Sequence, residues 1–339
     1  MTVYDIHAHC IPQTLLDLLE RDGARYGIEM IDTERGRSAV LNGRETIGPF
    51  RPFLTDMDHR LAAMDAAGID VQVLSSWIDL TAYALDPDLG AAYARRVNEI
   101  IAGEADRHPD RFLAIGTVPL QAPDAAAEEL RCAVEDFGMI GVEIATTVDG
   151  ADLDRAGLEP FWETAAALRC LVVVHPMAAL TAMDLRRNFL DNTVGRPVET
   201  TVAVAAMMFD GVFDRHPELV VCAVHGGGFI PYQLGRMQRG FTAVPHLAAE
   251  RMKTAPAEVA RMLHYDTVLH SPMALRFLID TVGADRVVLG TDHPFEMGDT
   301  DPVATVEAVP GITADERGLI LEENVVRILS AMHRPGGAE

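Results

Sequence analysis

Short apolar runs rich in β-branched residues recur along the chain, and eight of them stand out: Val3 to His9, Val71 to Ser75, Phe112 to Val118, Gly141 to Ala145, Leu171 to His175, Val220 to His225, Asp266 to His270, and Arg286 to Thr291. Helix-length segments rich in Ala, Leu, Arg and Glu lie between them. Leu89 to Asp106 and Pro123 to Asp136 place apolar residues at helical spacing, Asp58 to Ala67 is a shorter helix, and Glu199 to Phe213 is apolar enough to be largely buried. Strand and helix alternating eight times over predicts a (β/α)8 barrel of the TIM type. Gly and Pro punctuate the joins, as at Pro119, Pro176, Gly226 to Gly228 and Pro294.

One segment breaks this rhythm. Between Tyr26 and Ile47, the stretches Gly27 to Ile31 and Ser38 to Leu41 flank a polar turn and predict a small β-hairpin inserted after strand 1. Residues 26–50 are therefore expected to form a cap over the barrel mouth. No linker, repeat or low-complexity tract divides the chain, so residues 1–339 are expected to form one domain.

In such a barrel the C-terminal ends of the strands build the active site, so the polar residues that terminate apolar runs carry the chemistry. Strand 1 contains Asp5-Ile6-His7-Ala8-His9, and the two-residue period of a strand puts both imidazoles on one face with Asp5. Strand 5 ends in His175, strand 6 in His225 followed by three glycines, and strand 8 in Asp292-His293-Pro294. One histidine after an apolar run usually belongs to the core; four strand ends so equipped point to a metal site. Three imidazoles and a carboxylate, His7, His9, His175 and Asp292, suit one Zn2+ per subunit, or another divalent ion such as Mn2+, with a position open for water or substrate. His225 then remains beside the ion, able to polarise or deprotonate bound water, and with Asp292 forms the expected catalytic pair. The glycines after it would let backbone approach a substrate closely. Asp5 either supports the ligands or is simply buried at the base of strand 1.

Composition narrows the function. A hydrophobic fraction of 49% supports a sizeable core, and the formal charge of −23 argues against nucleic-acid or membrane-surface partners. No apolar run approaches the roughly 20 residues of a membrane span, and the chain enters a strand without a basic leader, so a soluble, cytoplasmic protein is expected. Cys10, Cys132, Cys170 and Cys222 lack C-x-x-C spacing and are expected as buried thiols. Lys253 is the single lysine, so any catalytic or carbamylated lysine would have to be Lys253.

Taken together, D-x-H-x-H, V-V-V-H-P, H-G-G-G and G-T-D-H-P-F resemble the amidohydrolase superfamily. More narrowly, they are similar to the branch of aminocarboxymuconate semialdehyde decarboxylase and related aromatic-acid decarboxylases, from Asp5 to about Leu329. The resemblance implies non-oxidative decarboxylation of an aromatic or muconate-semialdehyde-type acid. Metal-dependent hydrolysis or hydration of a lactone, amide or unsaturated carboxylate would use the same ligands. It implies that Arg51, in Pro-Phe-Arg-Pro-Phe, binds the substrate carboxylate, and that Arg236, in Gln-Leu-Gly-Arg-Met, reaches the neighbouring subunit's site in a homodimer. A guanidinium suits either task. Strand 4 carries Glu143 and no lysine, which favours a single ion over a bridged pair. His293 stands where the characterised decarboxylase has tyrosine; the roles of Glu143, His264, His270 and His293 stay open.

Overall fold

The computed structural model describes residues 1–41, 45–177, 185 and 187–333. Eight strands form the frame: β1 (Tyr4–Cys10), β2 (Val71–Ser76), β3 (Phe112–Ala114), β4 (Gly141–Ala145), β5 (Leu171–His175), β6 (Val220–Ala223), β7 (His264–Asp266) and β8 (Val287–Val288). β1, β2 and β3 pair in parallel, as do β4 to β8 in sequence order. Two joins close the ring. Gly116 bridges Val142, with Glu143 N donating to Gly116 O at 2.8 Å, and Ala8 bridges His293, with Asp292 N donating to His7 O at 2.8 Å. The expected (β/α)8 barrel is thus formed.

The uniformly apolar strands follow from this closure, because both faces of every strand are covered. Along β5, Leu171 and Val173 point inward with Ile6, Val73, Cys222 and Val288, while Val172 and Val174 face the helices and meet Phe161, Trp162 and Met207. Helices Pro87–Ala105, Pro123–Glu135 and Arg196–Phe209 lie on the outside, each opening with a proline in its first turn. The first is also capped by Asp86, which accepts from Asp88 N at 3.1 Å. The expected helix at Glu199 to Phe213 begins earlier, at Arg196, and ends at Phe209; Gly211, at φ +75°, turns the chain into a short separate helix, Val212–Arg215.

The insertion is a three-stranded antiparallel sheet, Ile28–Thr33, Gly36–Leu41 and Glu45–Ile47, where the sequence indicates two strands. It buries Ile28, Ala39 and Ile47 against Leu15 and Leu19 of the helix after β1. The chain leaving it sets Phe50 against Trp77, with ring centroids 6.2 Å apart.

Several strand ends differ from the sequence reading: β3 stops at Ala114 and β8 at Val288, short of the expected Val118 and Thr291, and the differences at β6 and β7 bear most on the site. β6 stops at Ala223, and His225 follows in a left-handed turn at φ +55°. β7 ends at Asp266, where a start was expected. The apolar Val268 and Leu269 suggest a continuing strand, but Asp266 Oδ1 accepts from Val268 N at 3.2 Å and turns the chain at once. All four cysteines are buried and unpaired, and no described helix is long and apolar enough to cross a membrane.

Candidate active site

His7 and His9 emerge from β1, His175 from the end of β5, and Asp292 just past β8. The structure brings all four together. His7 Nε2 lies 3.2 Å from His9 Nε2, and Asp292 Oδ1 lies 3.4 Å from the first and 3.3 Å from the second. The His175 ring centroid stands 4.8 Å from that of His9 and 5.1 Å from that of His7. Nitrogen and oxygen atoms of His7, His175, His225 and Asp292 fall within 4.8 Å of one another.

The far side of each imidazole shows why these atoms converge. His7 Nδ1–H donates to Asp266 Oδ2 at 2.7 Å, His9 Nδ1–H to Ser75 Oγ at 3.1 Å, and His175 Nδ1–H to Pro176 O at 2.9 Å. Ser75 Oγ in turn donates to Ala8 O at 3.2 Å, so toward His9 it is an acceptor. With every Nδ1 committed as donor, the three Nε2 lone pairs face inward, the arrangement metal-ligating histidines take from their outer partners. Among the described residues His175 Nε2 and Asp292 Oδ1 are buried without a hydrogen-bond partner. Buried polar atoms left without a partner are costly, and a divalent cation among them, taking the place of the His7 proton, relieves that cost. The residues present fit such an ion.

Electrostatics agree. Burial, with the neighbouring imidazoles, pushes His175 well below the usual histidine range, leaving it neutral. Burial alone would also lower His7, but the Asp266 hydrogen bond and the Asp292 and Glu143 charges outweigh it and raise the group to about 9. For Asp292, burial opposes ionisation, yet the imidazoles of His225, His7 and His9 around it hold it well below the carboxylate range.

His225 flanks the cluster, its Nε2 3.6 Å from Asp292 Oδ2 and its Nδ1 unpartnered. The three following glycines keep the left-handed backbone, at φ +60°, +75° and +61°. Protein packing also closes these positions to a side chain: a Cβ on Gly228 would strike Pro197 O, and one on Gly227 would come within 2.6 Å of the Tyr265 ring. Asp266 fixes the turn as well, accepting from Gly226 N at 2.7 Å.

Glu143 points into the barrel, with Oε2 3.8 Å from His9 Nδ1, and burial raises its pKa. Asp5 does not reach the cluster. It is fully buried and accepts from Thr291 Oγ1 at 2.6 Å and Gln72 Nε2 at 2.7 Å, and Gln72 is held by buried Arg60, which also donates to His9 O. His264 is buried within β7 and His270 lies beyond it at φ +53°; Lys253 is exposed. His293 is pushed down to about 3, chiefly by burial, and its Nε2 has no partner.

A cavity of about 250 Å³ opens on the cluster, lined by His225, Asp292, Arg196, Phe229, Leu269 and Met297 among others. Arg51 is not in its lining: the side chain is 44% exposed, pairs with Glu296 at 3.2 Å and lies over the Phe53 ring. Arg236 is exposed on the helix Ile230–Ala243 and makes no ion pair among the described residues. Sequence reasoning passed over Asp266, Ser75 and Arg196. Ser75 ends an expected strand and could have been found; Asp266 was hidden by the misplaced strand, and Arg196 had no signal.

The family model for amidohydrolases matches residues 4–330. The chain belongs to the amidohydrolase family. This amidohydrolase is 30% identical over 325 residues to the 2-amino-3-carboxymuconate-6-semialdehyde decarboxylase of Dictyostelium discoideum, an alignment covering 96% of the chain and 90% of that protein. Among solved structures it resembles 2,6-dihydroxybenzoate decarboxylase from Rhizobium, with a TM-score of 0.79, 27% identity, and 97% and 99% of the two chains covered. The fold also matches a dihydroxybenzoic acid decarboxylase from Polaromonas sp. JS666, solved with bound manganese and 2-nitroresorcinol, at a TM-score of 0.78 and 24% identity, with 97% of each chain covered.

Proposed function

We propose that this amidohydrolase is a metal-dependent carboxy-lyase that removes CO2 without oxidation from an aromatic or muconate-semialdehyde-type acid. The observation that carries this is a set of inward-facing imidazole nitrogens and an unpartnered carboxylate oxygen, in a chain that aligns nearly end to end with a decarboxylase. His7, His9, His175 and Asp292 would hold one divalent ion, Zn2+ or Mn2+ by their donor types. When bound, it supplies positive charge that binds and orients the acid's oxygens.

The remaining work falls to side chains. As the carbon–carboxylate bond breaks, its electron pair stays on the ring or chain carbon, and CO2 leaves. That carbon then takes a proton from His225, whose Nε2 lies against Asp292 at the edge of the cavity. Asp292 stays anionic and faces the His225 imidazole, orienting it toward the cavity. Asp266 fixes both His7 and the turn bearing His225, and Phe229, Leu269 and Met297 give the planar body an apolar wall that limits water. The test is to screen carboxylated aromatics and muconate semialdehydes for released CO2, with lactones and amides beside them. Ring opening of a lactone with no CO2 from any acid would replace this reading with the hydrolase.

Binding the ion requires His7 without its second proton. Since His7 is held at about 9, that proton is present below pH 9 and must be displaced, so metal affinity should climb as pH rises from 6 toward 9. Titrations across this range should also show proton release into weak buffer. Affinity flat with pH would contradict the ligand role of His7.

Arg236, exposed and without an ion-pair partner among the described residues, suits a twofold dimer in which it enters the other subunit's site to hold the substrate carboxylate. Mixing Arg236→Ala subunits with His175→Ala subunits should then restore one intact site per heterodimer. Heterodimers that form yet stay inactive would remove this role. Arg51, over the Phe53 ring and paired with Glu296, would leave that pair to bind the substrate carboxylate.

A further inference from the structure

The cavity beside His225 and Asp292 holds a guanidinium that no sequence pattern singles out. Arg196 opens the helix Arg196–Phe209, and its side chain is 19% exposed. Of the five N–H donors of a guanidinium, one reaches Pro176 O at 2.8 Å. Among the described residues its Nε is buried with no hydrogen-bond partner, and its NH2 makes only a loose ion pair with Asp79 Oδ2, at 3.8 Å. A largely buried cation, paired only loosely with Asp79 and with most of its donors unspent, is costly, and a carboxylate-type oxygen is the partner its planar fork matches. The Pro176 carbonyl is shared: it accepts from Arg196 and from His175 Nδ1, so the fork is fixed next to the metal cluster.

Resting on the decarboxylase reading above, we infer that Arg196 is a specificity-determining residue that binds a second anionic oxygen of the substrate, a carboxylate or ionised phenol other than the carboxylate that leaves. The assignment to the group that stays follows from where charge moves. Loss of CO2 carries negative charge out of the reacting carboxylate, so a cation clamped on that group stabilises the ground state more than the transition state; a cation on a group that keeps its charge does not have this cost. The apolar wall of Pro197, Phe229 and Leu269 beside Arg196 takes the planar body between the two ends. The substrate is accordingly a small planar acid with two acidic groups, and simple monocarboxylates are poor ligands.

The test measures equilibrium binding of benzoate and of the three benzenedicarboxylates to the metal-loaded protein by calorimetry. The tightest dicarboxylate should bind wild type on the order of 10- to 100-fold better than benzoate, the margin of a charge-assisted contact. Arg196→Met should bring the two within about threefold while metal content, read by elemental analysis, stays at the wild-type level. If Arg196→Met loses metal because the Pro176 carbonyl is disturbed, the comparison moves to Arg196→Lys, which keeps a donor for that carbonyl but not the fork; there the margin should fall at least about threefold. Equal binding of benzoate and dicarboxylates to wild type, no binding of either, or a margin unchanged in the deciding variant overturns the assignment. CO2 release is scored separately: its absence from every acid tried strikes the decarboxylase reading, whereas an Arg196-independent margin strikes only this inference.

Discussion

Alanine at His175, or removal of divalent metal by a chelator, should abolish turnover while the circular dichroism spectrum and cooperative melting of the protein persist. His175 Nε2 has no hydrogen-bond partner, so its loss removes a metal donor and breaks no internal bond through that atom. The barrel is closed by strand pairing and by backbone bonds at its two joins, and its core clusters do not depend on the four ligands. With three donors left, the site should hold its ion weakly, and elemental analysis should show substoichiometric metal. Full activity in a preparation shown to be metal-free would rule the site out.

A different signature is expected at His225. Changing it to asparagine should leave metal content near wild type and lower kcat on the order of 10²- to 10⁴-fold, the range of a lost general acid or base. Asparagine is the substitution of choice because His225 sits at φ +55°, a conformation asparagine accepts far better than alanine does. Backbone strain then contributes little, and the rate reports the proton donor. The proximity of His225 to Asp292 makes the outcome informative: if metal content falls in step with the rate, His225 is a ligand.

Much of this site could be read from the chain because its strands announce their ends. Apolar runs that stop at His175 and Asp292 mark both the strand and the residue that tops it, and the bounds of β4 and β5 match the expectation residue for residue. The signal failed where local bonding overrode the apolar pattern. Val268 and Leu269 look like strand, but Asp266 captures Val268 N and ends β7, so a carboxylate that supports His7 was read as the start of a strand. His225 was assigned to a strand for a related reason: only the run of glycines after it hints that the backbone has already turned left-handed. Arg196 carries no pattern in one dimension. Its significance comes from a carbonyl oxygen shared with His175, and a contact of that sort exists only once β5 and the following helix have packed.

The join between β1 and β8 has a consequence for how the protein comes into being. Asp292 N donates to His7 O, and Thr291 Oγ1 donates to Asp5, so β1 is completed by chain made 286 residues after it. Until β8 is made, His7 and His9 have Asp266 and Glu143 behind them but not the carboxylate of Asp292 in front. The four-donor set is therefore completed only when β8 docks, and a chain truncated before it keeps three imidazoles without Asp292. Tight metal uptake is in this sense a report on finished molecules. Chains broken before Asp292 should be sorted from whole ones on an immobilised substrate analogue, even where their surviving strands still pair.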